Sequence, residues 1–577
     1  MTTNFPKKIS AFLLLITFTL SFIPANKKIF AAWNEPVRGK NAMVASQHEL
    51  ASKIGADILQ KGGNAVDAAI AVGLALAVVY PEAGNIGGGG FMLIRFKDGK
   101  TTAIDYREMA PLAATRDVFV DKSGNLIKGE GSSTIGYRAS GVPGTPAGFD
   151  YAFKKYGSGK IKWADLVEPS RQLAQNGYVL SYRLAELFKT YKNNLEKYSE
   201  SKKVFLKDGK FYEEGELFKQ PELAQTLTRM QKNGANEFYT GKTAELIAAD
   251  MKANNGLITL DDLKNYQPKE RVPLRGNYRG HEIITMPPPS SGGIVMLQVL
   301  KMLEPYDIKK MTYNSAEKYH ILAETLRRSF ADRAEFMADP DFASVPITKL
   351  LDANYLAKRR ETIDLKKASS SKEIGHGAVI AVEPMDTTHY TIVDADGNVV
   401  SNTYTINDLY GSAVTIKGTG ILMNDEMDDF AARPGTANLF GLIQGERNKV
   451  EPRKRPLSSM TPTIVLRKDG KPWFAVGARG GPRIITAVLQ TVINMIDHDM
   501  NIQAAMDAPR IHHQWFPDEI RYEPYGMSPD TISILESYGH KFGNVGYNAS
   551  ATGIEINEKG IRLGAIDARS DGKAVGF

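Results

Sequence analysis

The chain has no cysteine. That absence removes disulfides, thiolate nucleophiles, cysteine-bound zinc and a lipidated N-terminal cysteine together. No Gly-x-Ser-x-Gly run occurs either, so the strand–turn–helix elbow of the α/β-hydrolases is missing. No His-Glu-x-x-His spacing exists, and His512 and His513 are adjacent, which regular structure points apart; no metal site is expected. Gly157-Ser-Gly-Lys160 has Lys154 where a phosphate loop needs its first glycine and Ile161 where it needs Ser or Thr, so no nucleotide cofactor is expected. Strong charge of one sign is also lacking. With 72 basic and 65 acidic residues the net charge is +7 over 577 residues. No long basic run is interleaved with aromatics, which argues against nucleic acid as a partner.

What is present reads as an ordinary folded protein, 42% hydrophobic and 24% charged. Lys7 and Lys8 precede an apolar run at 11–23, followed by Pro24 and Ala25. That is the layout of a signal peptide over residues 1–32, with Ala25, Ala31 and Ala32 all open as cleavage positions. The expected location is therefore outside the cytoplasm, in a periplasm or secreted. The apolar run is short for a membrane span. A second apolar stretch, 65–80, contains Asp67 and stops at Pro81, so it reads as a buried helix that Asn64 can cap. Residues 41–62 show helical spacing at Leu50, Ile54, Ala56, Ile58 and Leu59 up to Gly62-Gly63. Asn85-Ile-Gly-Gly-Gly-Gly90 then leads into a strand at 91–96, and its glycines read as a place of close backbone packing.

Residues 364–375 are polar and serine-rich and read as a mobile connector. Beyond them strand content rises. Strands at 388–393 and 399–406 flank residues 394–398, where Asp396-Gly397 signals a two-residue hairpin loop. That register sets Thr387 opposite Ile406, with Thr405 and Asn407 one step to either side on the other face. A bulge or the strand end is needed to turn them inward. Further strands (420–423, 463–467, 473–476), a helix at 482–498, a second helix, a strand near 520–523 and paired strands at 553–556 and 561–565 follow. The alternation predicts a layered α/β sandwich.

Asp386-Thr-Thr-His-Tyr390 taken alone is a β-branched strand start. Thr405-Ile-Asn407, Asn424-Asp-Glu-Met-Asp-Asp-Phe430, Lys454-Arg-Pro-Leu-Ser-Ser-Met460 and Gly480-Gly481 each sit beside an apolar strand, and together they fit a pocket for a small zwitterion. With Asp105-Tyr-Arg-Glu-Met-Ala-Pro111 and Pro287-Pro-Pro-Ser-Ser-Gly-Gly293, these runs give the chain its likeness to a known family. From about residue 42 to 576 it resembles the γ-glutamyltranspeptidases (glutathione hydrolases), which are N-terminal-nucleophile hydrolases.

The resemblance implies an α+β fold, a layered αββα sandwich forming one compact unit from two processed subunits of the same precursor. The cut would fall between Asp386 and Thr387, giving a large subunit of 33–386 and a small catalytic subunit of 387–577. Thr387 would be the nucleophile, attacking glutathione and other γ-glutamyl compounds and passing the γ-glutamyl group to water or to acceptor amino acids or peptides. Thr405 would hydrogen-bond the Thr387 hydroxyl. Gly480 and Gly481 would supply oxyanion N–H groups. Arg107 with Ser458 and Ser459 would hold the α-carboxylate, and Asn407, Glu426 and Asp429 the α-ammonium. No cofactor or metal is implied.

Two departures stand out. Ala478-Arg479 replaces a Ser-Pro pair common before the glycines, and Phe440 stands where lidded relatives often carry Tyr, within a lid stretch at 434–449. Two other readings use the same residues. One is a related acylase or poly-γ-glutamate depolymerase. The other is a non-enzymatic exported binding protein, against which intact Thr387, Thr405 and Asn407 argue.

Overall fold

A computed structural model describes residues 34–374, 387–543, 545–547 and 549–577. The expected signal peptide and Asp386 lie outside the described residues. Fourteen strands build two antiparallel seven-stranded sheets. In chain order they are β1 (Val37–Gly39), β2 (Met43–Ser46), β3 (Gly89–Arg95), β4 (Thr101–Tyr106), β5 (Lys269–Arg271), β6 (Leu274–Tyr278) and β7 (His281–Thr285). Then come β8 (Thr388–Val393), β9 (Val399–Thr405), β10 (Thr463–Leu466), β11 (Pro472–Arg479), β12 (Ser550–Ile556), β13 (Arg562–Ile566) and β14 (Lys573–Gly576). One sheet runs β1-β13-β12-β11-β10-β7-β6 and the other β14-β2-β8-β9-β3-β4-β5.

The period-2 alternation of strand side chains divides the core into two. Met43, Ala45, Phe91, Leu93, Val393 and Val399 point between the sheets, where they meet Ile464, Val476 and Ile554. Val44, Met92, Ile94, Tyr390, Ile392 and Tyr404 point the other way, onto helices α1 (Glu49–Gln60) and α2 (Ala65–Val79). Against the far sheet lie α3 (Gly292–Leu303) and, after α4 (Ala316–Phe336), which packs on α3, α5 (Arg483–Ile496). This is the expected αββα sandwich. The sheets approach closely where His389 faces Gly477: a Cβ on Gly477 would stand 2.3 Å from the imidazole.

All 15 residues of α2 are buried, and Asn64 caps it in a reciprocal capping box with Asp67. Among the described residues no helix is long and apolar enough to cross a membrane. The helical spacing of 41–62 is only half right. Residues 43–46 form β2, because pairing with β8 and β14 recruits them before the helix begins at Glu49.

The hairpin register differs from expectation by one residue. Thr388 pairs with Tyr404 and Val393 with Val399, so continuing the ladder sets Thr387 opposite Thr405 rather than Ile406. A two-residue type I′ loop needs positive φ at both central residues. Here Gly397 alone has it, at 88°, and Asp396 does not. The loop therefore holds three residues, closed by Asp394 N–H donating to the Asn398 carbonyl at 3.1 Å. Asp394 also accepts from Asn398 N at 2.9 Å and from the first amide of α2, Ala65 N, at 3.0 Å.

The reading of 364–375 as mobile is corrected as far as residue 374. Ser369 N–H and hydroxyl donate to Glu324, Ser371 N donates to Asp518 at 2.8 Å, and Trp515 Nε1 donates to the Ser371 carbonyl at 2.8 Å. A serine-rich composition gave no sign of this, because its partners come from α4 and from residues 515–518.

Candidate active site

Thr387 begins the residues that lead into β8 and is buried. Its hydroxyl donates to Thr405 Oγ1 at 3.2 Å, and the same oxygen accepts from Asn407 N at 2.9 Å. Asn407 has φ of 76°, a left-handed conformation that asparagine tolerates better than most residues. This bend at the end of β9 brings Asn407 to the cavity. Its Nδ2 donates to the Asp425 carbonyl at 3.2 Å and to the carboxylate at 3.3 Å, so the amide oxygen remains for an incoming donor.

One cavity is lined by Arg107, Thr387, Thr405, Asn407, Glu426, Asp429, Ser458, Ser459 and Gly481. Residues far apart in sequence thus line one cavity. Gly480 lies next to Gly481 but is not among the lining residues. The two glycines have φ of 130° and 55°. Neither N–H donates to another described residue, and both precede α5, where backbone N–H groups gather positive potential.

Arg107 is held from several sides. Its N–H donates to Asp105 at 3.0 Å, its carbonyl accepts from the Tyr266 hydroxyl at 2.8 Å, and its Nε donates to the Pro456 carbonyl at 3.2 Å. The guanidinium ends on Glu426 and, at 2.5 Å, on Asp429. Burial opposes the charge, yet those carboxylates outweigh it and raise the Arg107 pKa above the ordinary value. Arg107 therefore reaches the edge of the serine segment but is occupied by acids. Glu108 is the third carboxyl facing it, 3.7 Å away. Burial, only partly offset by Arg107, pushes Glu108 up to about 7 and Glu426 well above its usual range.

The serines are clamped by the loop that carries Pro287-Pro-Pro-Ser-Ser-Gly-Gly293. Ser291 N and its hydroxyl both donate to the Ser458 carbonyl, at 2.8 and 2.7 Å, and Ser290 Oγ donates to the Met460 carbonyl at 2.6 Å. Ser458 N donates back to the Pro289 carbonyl at 2.9 Å.

Phe440 and Leu442 of the 434–449 stretch form an apolar wall with Met460, Pro482 and Ile484. A Cβ on Gly481 would stand 2.9 Å from the Phe440 ring, so the phenyl lies directly on the oxyanion candidate. The Phe440 carbonyl accepts from Gln514 Nε2 at 3.0 Å, which ties the stretch down without a side-chain hydroxyl. Arg479, the other departure, does not line the cavity. It continues β11 opposite Ser550, and its guanidinium lies 5.9 Å from the centre of the Tyr80 ring.

Leu442 and Ile484 in this wall were not foreseen, because one Leu or Ile in a strand-rich sequence carries no site signal. Ser291, in a run already marked as distinctive, carried the one clue that was available.

Known proteins resemble the chain over most of its length. The family model "Gamma-glutamyltranspeptidase" matches residues 51–577. The "Glutathione hydrolase proenzyme" of Escherichia coli K12 is 48% identical over 93% of this chain and 91% of its own length. Among solved structures, the cephalosporin acylase of Bacillus halodurans superposes with a TM-score of 0.84 at 27% identity, covering 96% of this chain and 98% of its own. The Helicobacter pylori γ-glutamyltranspeptidase chain superposes with a TM-score of 0.56 at 45% identity, over 60% of this chain and 95% of its own.

Proposed function

The chain belongs to the γ-glutamyltranspeptidase family, and from that premise we propose how its site works. It is a γ-glutamyltransferase and glutathione hydrolase of the N-terminal-nucleophile type, made as a self-processing precursor. The cut between Asp386 and Thr387 separates a large subunit of 33–386 from a small subunit of 387–577. Before the cut the Thr387 nitrogen is an amide and cannot take up a proton. Afterwards it is an α-amine with a pKa of about 7.7–8.0, a base on the nucleophile's own residue.

The amine accepts the Thr387 hydroxyl proton as Oγ1 attacks the γ-glutamyl carbonyl carbon. The oxyanion is held by the Gly480 and Gly481 N–H groups. The proton then passes to the leaving amine as the C–N bond breaks, leaving a γ-glutamyl ester on Thr387. Water resolves the ester to glutamate, and an acceptor amino acid or peptide resolves it to a new γ-glutamyl amide. Glu426, Asp429 and the Asn407 amide oxygen take the donor's α-ammonium. Ser458 and Ser459, with Arg107, take its α-carboxylate. The buried Glu426–Arg107–Asp429 arrangement supports this, since a zwitterion offers the same two charges in exchange. Residues 1–32 direct export, to a periplasm or beyond it.

The single observation that carries this reading is the Thr387 hydroxyl on Thr405 inside a cavity with both charge signs. The test is a denaturing gel of the purified protein with a γ-glutamyl-p-nitroanilide assay. Two bands and turnover are expected from the parent, and one band with no turnover from Thr387→Ala. A single inactive parent chain would sink the reading, and two normal bands from Thr387→Ala would place the scissile bond elsewhere.

The wall of Phe440, Leu442 and Ile484 favours a second activity, acylase-type cleavage of amides whose leaving group is apolar. Equal turnover of apolar and polar leaving groups would remove it.

A further inference from the structure

Five arginines are among the largest fully buried side chains: Arg107, Arg328, Arg333, Arg455 and Arg510. Four have a carboxylate at ion-pair distance: Arg107 has Glu426, Arg328 has Glu324 at 2.6 Å, Arg455 has Asp105 at 3.3 Å and Arg510 has Asp567 at 2.6 Å. Arg333, near the end of α4, has none among the described residues. Its Nε donates to Ser291 Oγ at 2.9 Å, and its Nη2 makes a long contact of 3.5 Å with Ser459 Oγ. Its Nη1 is buried with no hydrogen-bond partner.

A buried guanidinium without a carboxylate partner is costly and calls for an explanation. Burial does lower its pKa, to about 10, but that still leaves it charged at neutral pH. Charge balance in the cavity points the same way. Arg107 is shared with Glu426 and Asp429, so a substrate carboxylate arriving at Ser458 and Ser459 gains from a second positive charge nearby. Arg333 stands directly behind those serines, and the Pro287–Gly293 run supplies its second anchor through Ser291.

We propose that Arg333 is a positioning residue for the donor's α-carboxylate, holding Ser459 and Ser291 in place and supplying the positive charge behind the two serines. This rests on the γ-glutamyl reading of the site, whose own test is the parent's two bands and turnover. The Arg333 test starts from that active parent. Arg333→Met and Arg333→Lys are assayed on γ-glutamyl-p-nitroanilide and on its α-carboxamide analogue, which keeps the ammonium and the scissile amide but carries no carboxylate.

For Arg333→Met, KM for the carboxylate substrate should rise roughly 10- to 100-fold, the range for a lost charge-assisted contact, with kcat changed far less. kcat/KM on the carboxamide should stay within about twofold, because that contact is absent there. Arg333→Lys should recover part of the carboxylate affinity. An equal loss on both substrates, or an unchanged KM for the first, would overturn the proposal and leave Arg333 as a structural cross-link. Should Arg333→Met remain uncut, the same comparison on Arg333→Lys decides: a selective loss supports the proposal and an equal loss overturns it.

Discussion

The Thr387 hydroxyl donates to the Thr405 hydroxyl across 3.2 Å, from one strand to the other at the open end of the hairpin. The same Thr405 oxygen accepts from Asn407 N, so one side chain both holds the nucleophile and fixes the bend that brings Asn407 to the cavity. A Thr405 oxygen with two donors lowers the freedom of the nucleophile before substrate arrives.

Thr405→Val keeps the β-branched shape and removes that acceptor. Two buried donors then lack a partner, which costs about 1–3 kcal/mol each. kcat on γ-glutamyl-p-nitroanilide should fall roughly 10- to 100-fold, with slower self-cleavage on a gel time course. Thr405→Ser should retain most activity. An equal loss in both variants would assign the role to the methyl group.

Arg107 was expected mainly to bind substrate, but its three carboxyl neighbours make it structural as well. Arg107→Ala leaves buried acids uncompensated, a loss of about 3–5 kcal/mol. Thermal unfolding should show a clearly lower Tm and a smaller cut fraction, with a raised KM in what remains. A normal Tm would show that water compensates the acids. Arg107→Lys should fall between the two.

Gly88 lies behind the site. A Cβ there would stand 2.0 Å from the Thr405 carbonyl oxygen, part of the β9 backbone. Gly88→Ala should therefore cost about 1–3 kcal/mol in thermal or denaturant unfolding and lower kcat through displaced Thr405. An unaltered Tm would mean that β3 and β9 can part at no cost.

His389 gives a pH prediction. Burial between the sheets lowers its pKa from 6.5 to about 3, and its ring nitrogens lie 2.8 Å from Thr403 Oγ1 and 3.0 Å from Thr391 Oγ1. The folded chain keeps it neutral, while the unfolded chain takes up a proton below its ordinary value. Its contribution to stability is therefore full above about pH 6.5 and is lost as pH falls toward 3, by about 1.4 kcal/mol per pH unit. In the uncut Thr387→Ala chain, the stability gap to a His389→Gln double variant should narrow by that slope between pH 6.5 and 4.5. A gap independent of pH would mean His389 is charged or solvated in the fold.

Local sequence carried the material of the site: Thr387 after Asp386, the threonine and asparagine at 405 and 407, the acids of 424–430, the serines of 454–460 and the glycine pair. It also determined most elements around them, since the apolar run of α2, its Asn64 cap and the alternating strands are local signals that burial reads directly. The tertiary structure decided what local signals leave free. Whether the 394–398 turn holds two or three residues depends on one backbone angle at Asp396. That single residue of register moves Thr405 from the opposite face to the side of Thr387. Composition made 364–375 a connector, yet up to residue 374 long-range hydrogen bonds hold it. Arg107 and Arg333 look alike in sequence, and only their buried surroundings make one an acid-paired charge and the other a charge held by two serines.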